Sequence, residues 1–239
     1  MKIGILLPSI YASKRYGEGR IFAPLPLAVS LADSLIDRGH TVLFYSAAEV
    51  QTKASLIGGD SELVTHKPYY YQFRYREAEE QKYAAFEILK RDFEYDLTMR
   101  AYRDAQEGKL DILHSYHDFG AHYFNELTKF PTVYTVHDPM PQTNTTLEYF
   151  RYRRFAHHAY ISISNAQRRG VIDMNFVATI YHGIALDGYE FDAEGGSHVI
   201  YFGRVMEDKG TDIAIEVAKA SGLPLHIATS AIRGNISQK

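Results

Sequence analysis

Two cations near the end of the chain have a spacing suited to phosphate binding. Arg204 directly follows Gly203, and Lys209 comes five residues later, before Gly210. An Arg guanidinium donates parallel hydrogen bonds to phosphate oxygens, and a Lys ammonium adds a point charge. A nucleotide diphosphate would suit this arrangement, but the spacing alone favours the alternative interpretation, two solvated cations on a surface loop.

A pair of glycines, Gly17 and Gly19, follows the first apolar run of the chain and precedes a helical pattern. Glycine lets the backbone approach a ligand closely, and a helix N-terminus favours anions. The pair lacks the three spaced glycines of a dinucleotide-binding loop. It therefore indicates either a loop beside a ligand or an ordinary flexible surface loop.

Two histidines, His114 and His137, each end a β-rich run. Imidazole can accept, donate or carry a proton, and strand ends point to the ligand side of a parallel sheet. For His137 we favour a functional role, because Asp138-Pro139 ends the strand sharply. A structural hydrogen-bonding role is the alternative for both.

The other polar clusters predict neither a metal centre nor a nucleic-acid site. Four histidines lack the spacing to carboxylates that metal ligands show: His117, His122, His157 and His158. The basic stretch Tyr149–Arg154 is compatible with anion binding, but 26 Lys and Arg against 29 Asp and Glu leave a net charge of −3. We interpret that stretch as an exposed helix face and predict no metal, no cofactor and no nucleic-acid partner.

The composition is that of an ordinary globular protein, with 239 residues, 46% hydrophobic and 23% charged. Without cysteine, the chain has no disulfide and no thiolate site. Its apolar runs are far shorter than the roughly 20 residues of a membrane helix, and its opening run is too short for a signal peptide. We expect a soluble cytoplasmic protein.

Short β-rich runs alternate with helical patterns along most of the chain. The predicted strands are Ile3–Leu7, Val42–Tyr45, Ile112–His114, Val133–Val136, Tyr160–Ile163 and Val177–Tyr181. Helices are predicted over Leu27–Ile36, within Tyr69–Glu107, and over Ala121–Thr128, Thr146–His157 and Ala166–Ile172. This alternation predicts an α/β protein with a Rossmann-like, doubly wound parallel sheet.

A cluster of Asp, Glu and Gly over residues 187–196 predicts a linker between a domain at 1–186 and a second segment at 197–239. The second segment carries one strand–helix–strand pattern, at Val199–Phe202, Thr211–Ala220 and Leu225–Ala228. A segment of about 40 residues rarely closes a core of its own. We therefore expect a homodimer held through residues 197–239.

The motifs, taken in order, resemble those of the retaining GT-B glycosyltransferases. They are Gly17-Glu18-Gly19, Asp111–His114, Thr135–Asp138, Ser162–Ser164 with Arg168, His182–Ile184, Phe202–Arg204 and Lys209–Asp212. The resemblance covers residues 1 to about 229. It implies two Rossmann-like domains facing each other across a cleft, and transfer of a sugar from a nucleotide-diphosphate donor to an acceptor.

The resemblance also implies roles for individual residues. Gly203, Arg204 and Lys209 bind the donor phosphates, while the Gly17–Gly19 loop lies over the diphosphate and the acceptor. His137 approaches the donor sugar as the catalytic residue.

The chain departs from the family pattern at its C-terminal end. The family's second domain carries two Glu separated by seven residues, and this chain ends before that motif. We therefore expect a complete N-terminal domain, a truncated donor domain as an incomplete second βαβ segment, and little activity from this chain alone. A non-catalytic nucleotide- or glycan-binding remnant is the alternative; an NAD-type oxidoreductase is disfavoured by the missing third glycine.

Overall fold

The structure, a computed structural model, describes residues 1–65, 78–116, 119–184, 186 and 188–229, with the backbone alone at 65 and 78–82. The chain divides into two compact units. The first consists of Met1–Glu18 and Phe22–Ile184, and the second of Gly19–Ile21 and Ala185–Lys239. Within the described residues, no helix combines the length and apolar character needed to cross a membrane.

The first unit is built on a parallel sheet of seven strands in the order β3-β2-β1-β4-β5-β6-β7. The strands are β1 (Lys2–Leu6), β2 (Thr41–Ser46), β3 (Ser55–Gly58), β4 (Ile112–Ser115), β5 (Thr132–Val136), β6 (Ala159–Ser162) and β7 (Phe176–Thr179). Ile3 of β1 lies opposite Val42 on one side and Ile112 on the other. Because the chain winds outward from β1 to both edges, the predicted Rossmann-like doubly wound sheet is confirmed.

Helices connect these strands. They are α1 (Lys14–Gly17), α2 (Pro24–Asp37), α3 (Ser61–Thr65), α4 (Ala78–Gln106), α5 (Gly120–Thr128) and α6 (Leu147–Phe155). Helix α2 starts with Pro24, whose fixed φ suits a first turn, and buries Ala28 and Ala32 completely. The helix predicted within Tyr69–Glu107 corresponds to α4, and its part over residues 69–77 lies outside the described residues.

The core surrounds the central strands. Ile5, Leu6, Phe44 and Tyr45 on β1 and β2 are fully buried, as is Leu97 of α4. Neighbouring residues of one strand point to opposite faces of a sheet, so burial of both Ile5 and Leu6 means that β1 is covered on both faces. This explains why the first strand reads as a continuous apolar run.

The helix predicted over Ala166–Ile172 does not form, and the chain makes turns there. The Val171 N–H donates to the Pro141 carbonyl at 3.0 Å instead of closing a helical turn. A Cβ at Gly170 would lie 2.7 Å from Met140 Cβ, so this stretch packs closely on the loop after β5. Contacts with that loop therefore override the local helical pattern.

The second unit contains the predicted strand–helix–strand segment. Strands β8 (Val199–Phe202) and β9 (Leu225–Ala228) pair in parallel and are connected by α7 (Thr211–Ser221). The described residues 188–196 of the predicted linker contain no helix or strand. The homodimer through residues 197–239 stays a prediction; the side chains of Ile200, Phe202 and Ile227 are exposed.

Candidate active site

Four rings stack at the carboxyl edge of the sheet in the first unit. His114 lies on β4, Tyr116 follows that strand, His137 follows β5, and His182 follows β7. Successive ring centroids are 4.9, 5.1 and 5.3 Å apart, with interplanar angles of 28°, 19° and 14°. Because all these strands are parallel, their carboxyl ends meet at the edge where α/β proteins bind ligands.

His137 has a buried ring nitrogen with unused hydrogen-bonding capacity. Its Nε2 is buried and has no hydrogen-bond partner among the described residues. Burial, together with the neighbouring His182, lowers the pKa of His137 to about 4, against an opposing effect of Asp138. The imidazole is therefore neutral near pH 7, and its buried Nε2 has an unused hydrogen-bonding position.

His114 has a different environment, although the sequence placed both histidines at strand ends. Its Nε2 lies 2.6 Å from Thr135 Oγ1 on the neighbouring strand. Burial lowers the pKa of His114 to about 4, with a further contribution from His137, and burial raises the pKa of Tyr116 to about 12. Tyr116 and His114, which is hydrogen-bonded to Thr135, thus form a neutral support for His137.

The loop that carries His137 is held by the side chain of Gln167. Gln167 is 8% exposed, and its Nε2 donates to the carbonyls of Val136 at 2.7 Å and Asp138 at 2.9 Å. Its Oε1 accepts from the Ile163 N–H at 2.8 Å. One side chain thereby ties both neighbours of His137 to the end of β6. Sequence reasoning missed this residue, because a glutamine in a polar run carries no signal of partners 29 and 31 residues away.

The backbone itself favours glycine at both positions of the predicted ligand loop. A Cβ at Gly17 would lie 2.4 Å from the carbonyl oxygen of Tyr11, so no other residue fits at that position without movement of the backbone. Gly19 has a φ of 70°, in the left-handed region that favours glycine. Gly17 belongs to the first unit and Gly19 to the second. Their role toward a ligand stays a prediction.

A cavity of about 320 Å³ lies near the Gly17 loop, between the segments that follow β1 and β2. Leu25 and Val29 of α2 provide apolar lining, and Lys14, Glu49 and Gln51 provide polar groups. The cavity is open to solvent and lies at the carboxyl edge of the parallel sheet.

In the second unit, Gly203, Arg204 and Lys209 lie on the connection between β8 and α7. The Tyr201 hydroxyl donates to the Arg204 carbonyl at 2.7 Å and lies 3.4 Å from the Lys209 carbonyl. Thr211 Oγ1 donates to the Tyr201 hydroxyl at 3.0 Å. This phenol, which sequence reasoning did not single out, therefore holds the connection in shape.

The cations on that connection are accessible. The Arg204 side chain is exposed and makes no hydrogen bond or ion pair within the part of the chain that the structure describes. Lys209 Nζ lies 3.6 Å from Asp208, in a pair whose side chains are 47% and 59% exposed. Such an exposed pair is weak and does not prevent Lys209 from binding an anion.

Comparison with known protein families identifies the family of this chain. Residues 27–187 match Glycosyltransferase Family 4, and the chain belongs to that family. The membership confirms the predicted glycosyltransferase class. No curated protein sequence matches the chain.

Three solved structures align with most or all of the chain at low sequence identity. The glycotransferase of kitacinnamycin has a TM-score of 0.48 at 11% identity, covering 100% of this chain and 67% of that one. MurG of Acinetobacter baumannii has a TM-score of 0.44 at 10% identity, over 95% of this chain and 60% of MurG. The spinosyn rhamnosyltransferase SpnG, complexed with thymidine diphosphate, has a TM-score of 0.46 at 15% identity, over 95% and 64%. The chain thus spans less than two thirds of the length of MurG and SpnG.

Proposed function

We propose that this family member is a GT-B glycosyltransferase that moves a sugar from a nucleotide-diphosphate donor to an acceptor with retention at the anomeric carbon. The observation that carries the proposal is the buried, unpaired Nε2 of His137 at the carboxyl edge of the sheet. In a family of sugar transferases, a hydrogen-bonding nitrogen held in this position is suited to a hydroxyl of the donor sugar.

In this proposal the neutral His137 orients the sugar and adds no positive charge beside the reacting centre. Cleavage of the bond between sugar and phosphate develops positive charge at the anomeric carbon. With a pKa of about 4, the His137 imidazole is neutral at pH 7. It donates or accepts a hydrogen bond without repelling the developing cation, as an imidazolium would.

Arg204 and Lys209 compensate the negative charge on the departing diphosphate. Both lie just before α7, and the Arg204 guanidinium has no partner in the described part of the chain. Charge-assisted hydrogen bonds from two cations stabilise the leaving group as it forms. The cavity beside Lys14 and Glu49 is the corresponding candidate for the acceptor.

Replacing Arg204 or Lys209 with Ala should weaken nucleotide-diphosphate binding. Loss of one charge-assisted contact costs roughly 1.5–3 kcal/mol, a decrease in affinity of roughly 10- to 150-fold. Titration calorimetry with UDP, GDP, ADP and thymidine diphosphate measures it. Lys219→Ala is the matched control, because Lys219 is another exposed cation of the same unit, paired with Glu216. Equal affinity of both variants and the wild type would remove Arg204 and Lys209 from the site.

His137→Ala should reduce transfer or hydrolysis of a donor sugar while diphosphate binding persists. The Nε2 of His137 has no partner among the residues described, so its removal unpairs no other group. We expect the fold to persist, with a fall in Tm limited to the lost ring contacts with Tyr116 and His182. Single-turnover release of labelled sugar measures the loss, proton NMR of the product reports its anomeric configuration, and His40→Ala is the control. A large drop in Tm with unchanged sugar release would make His137 a structural residue. Diphosphate binding by the wild type without any turnover would favour the non-catalytic remnant.

A further inference from the structure

Three side chains that are typical metal ligands converge at the other end of the sheet from His137. Glu126 lies in the last turn of α5, and His157 and His158 lie between α6 and β6. Nε2 of each histidine is 2.8 Å from Glu126 Oε1. Because α5 leads into β5 and the histidines lead into β6, this cluster lies at the amino edge of the sheet.

We propose that Glu126, His157 and His158 bind one divalent transition-metal ion of the Zn²⁺ type, with water completing the shell. Two imidazole nitrogens and one carboxylate oxygen form a ligand set that zinc prefers. The ligand atoms of the three residues lie within 4.8 Å of one another. The spacing of histidines along the chain gave no sign of this site, because Glu126 is 31 and 32 residues away.

The cluster needs only a small movement to accept an ion. Bonds of about 2.0–2.2 Å to a tetrahedral zinc separate its ligand atoms by roughly 3.3–3.5 Å. The present 2.8 Å contacts must therefore open by roughly half an ångström. The His157 side chain is 63% exposed and can move outward, while His158, at 5%, keeps its place in the core.

Two of the three ligand groups, Glu126 and His158, have pKa values shifted toward the form that a metal requires. Hydrogen bonds from Lys129, then from His158, lower the pKa of Glu126 to about 2, so its carboxylate is ionised. Burial lowers the pKa of His158, which favours the neutral imidazole. Lys129 contacts Oε2 of Glu126, whereas the histidines contact Oε1. Since the Lys129 side chain is 69% exposed, it can return to water at little cost.

The buried surroundings of His158 are also compatible with a bound ion. Its Nδ1 and the Oδ1 of Asn125 are both buried without a hydrogen-bond partner in the described ranges. Both side chains interact with Tyr134. In the metal-free protein His158 Nε2–H donates to Glu126, so that Nδ1 is an unpaired acceptor, as is Asn125 Oδ1. A metal ion on Nε2 of His158 places the proton on Nδ1 and makes Nδ1 a donor. The ion would also tie α5 to the start of β6, so its main effect is on stability.

Titration of the untagged full chain with ZnCl₂ in metal-free buffer tests the proposal. We expect one zinc ion per chain and a higher Tm with zinc. Glu126→Gln and His157→Gln should each lose at least about tenfold in zinc affinity and most of the Tm increase. His157→Gln changes an exposed side chain, so its fold should persist, and circular dichroism verifies this.

His198→Gln is the matched control. His198 and His226 of the second unit stack at 4.2 Å, and they form no metal-ligand group with a carboxylate among the described residues. This variant should bind zinc as the wild type does. Absence of saturable zinc binding by the wild type, unchanged affinity in both Glu126→Gln and His157→Gln, or loss of the site in His198→Gln would each overturn the proposal.

Discussion

Gln167→Glu should destabilise the first unit by about 2–4 kcal/mol, because two buried carbonyls lose their donor and face a carboxylate instead. The new side chain can still accept from the Ile163 N–H, but it cannot donate to the carbonyls of Val136 and Asp138. Urea denaturation followed by circular dichroism measures the loss. The variant should also reduce sugar transfer, since Gln167 holds both residues that flank His137.

Gln142→Glu is a close control for this change. Gln142 Nε2 also donates to two carbonyls, those of Met140 and Arg169, each at 2.7 Å, but the residue is exposed. Water can replace its donations, so the same substitution there should cost less than about 1 kcal/mol. If Gln167→Glu and Gln142→Glu were equally stable, burial of Gln167 would not explain the shape of the loop.

Stability of the first unit should fall as the pH decreases from about 6.5 to about 4. The folded-state pKa of both His114 and His137 is lowered to about 4, against 6.5 for the free side chain. Between these values the unfolded chain binds protons that the folded chain excludes, so acid favours unfolding. Full stability is present above pH 6.5, and the loss levels off below about 4. A pKa shift of this size corresponds to at most about 3 kcal/mol in the free energy of unfolding for one histidine. Partial exposure of His137 reduces its contribution.

Urea midpoints at pH 7, 5.5 and 4.5 measure this dependence. His114→Gln should flatten the slope of stability against pH, because it removes a group that excludes a proton in the folded state. Carboxylates with a low pKa, such as Glu126, act only at more acidic pH, whereas His158, whose pKa burial also lowers, adds to the same slope. A wild-type midpoint that stays constant between pH 7 and 4.5 would contradict the assignment of two neutral histidines to the stack.

Most of the architecture could be predicted from the sequence, because it depends on local patterns. The continuous apolar run at β1 follows from burial of both faces, and the glycine and histidine motifs fall at strand ends in family order. The short edge strand β3, Ser55–Gly58, was missed, since its four residues are only partly buried and show no regular alternation. The same local patterns placed His137 at the carboxyl edge of the sheet.

Features that depend on partners distant in sequence could not be predicted and are seen only in the tertiary structure. The pattern at Ala166–Ile172 resembles a helix, yet Gln167 bonds to carbonyls about 30 residues earlier and the stretch becomes a turn. Likewise, His114 and His137 are equivalent strand-end residues in the sequence. In the structure His114 pairs with Thr135, whereas Nε2 of His137 has no hydrogen-bond partner among the described residues. Glu126 meets His157 and His158 only because α5 and the start of β6 pack at one edge. Hydrogen-bond pairing across neighbouring strands and loops depends on three-dimensional proximity, which no local period records.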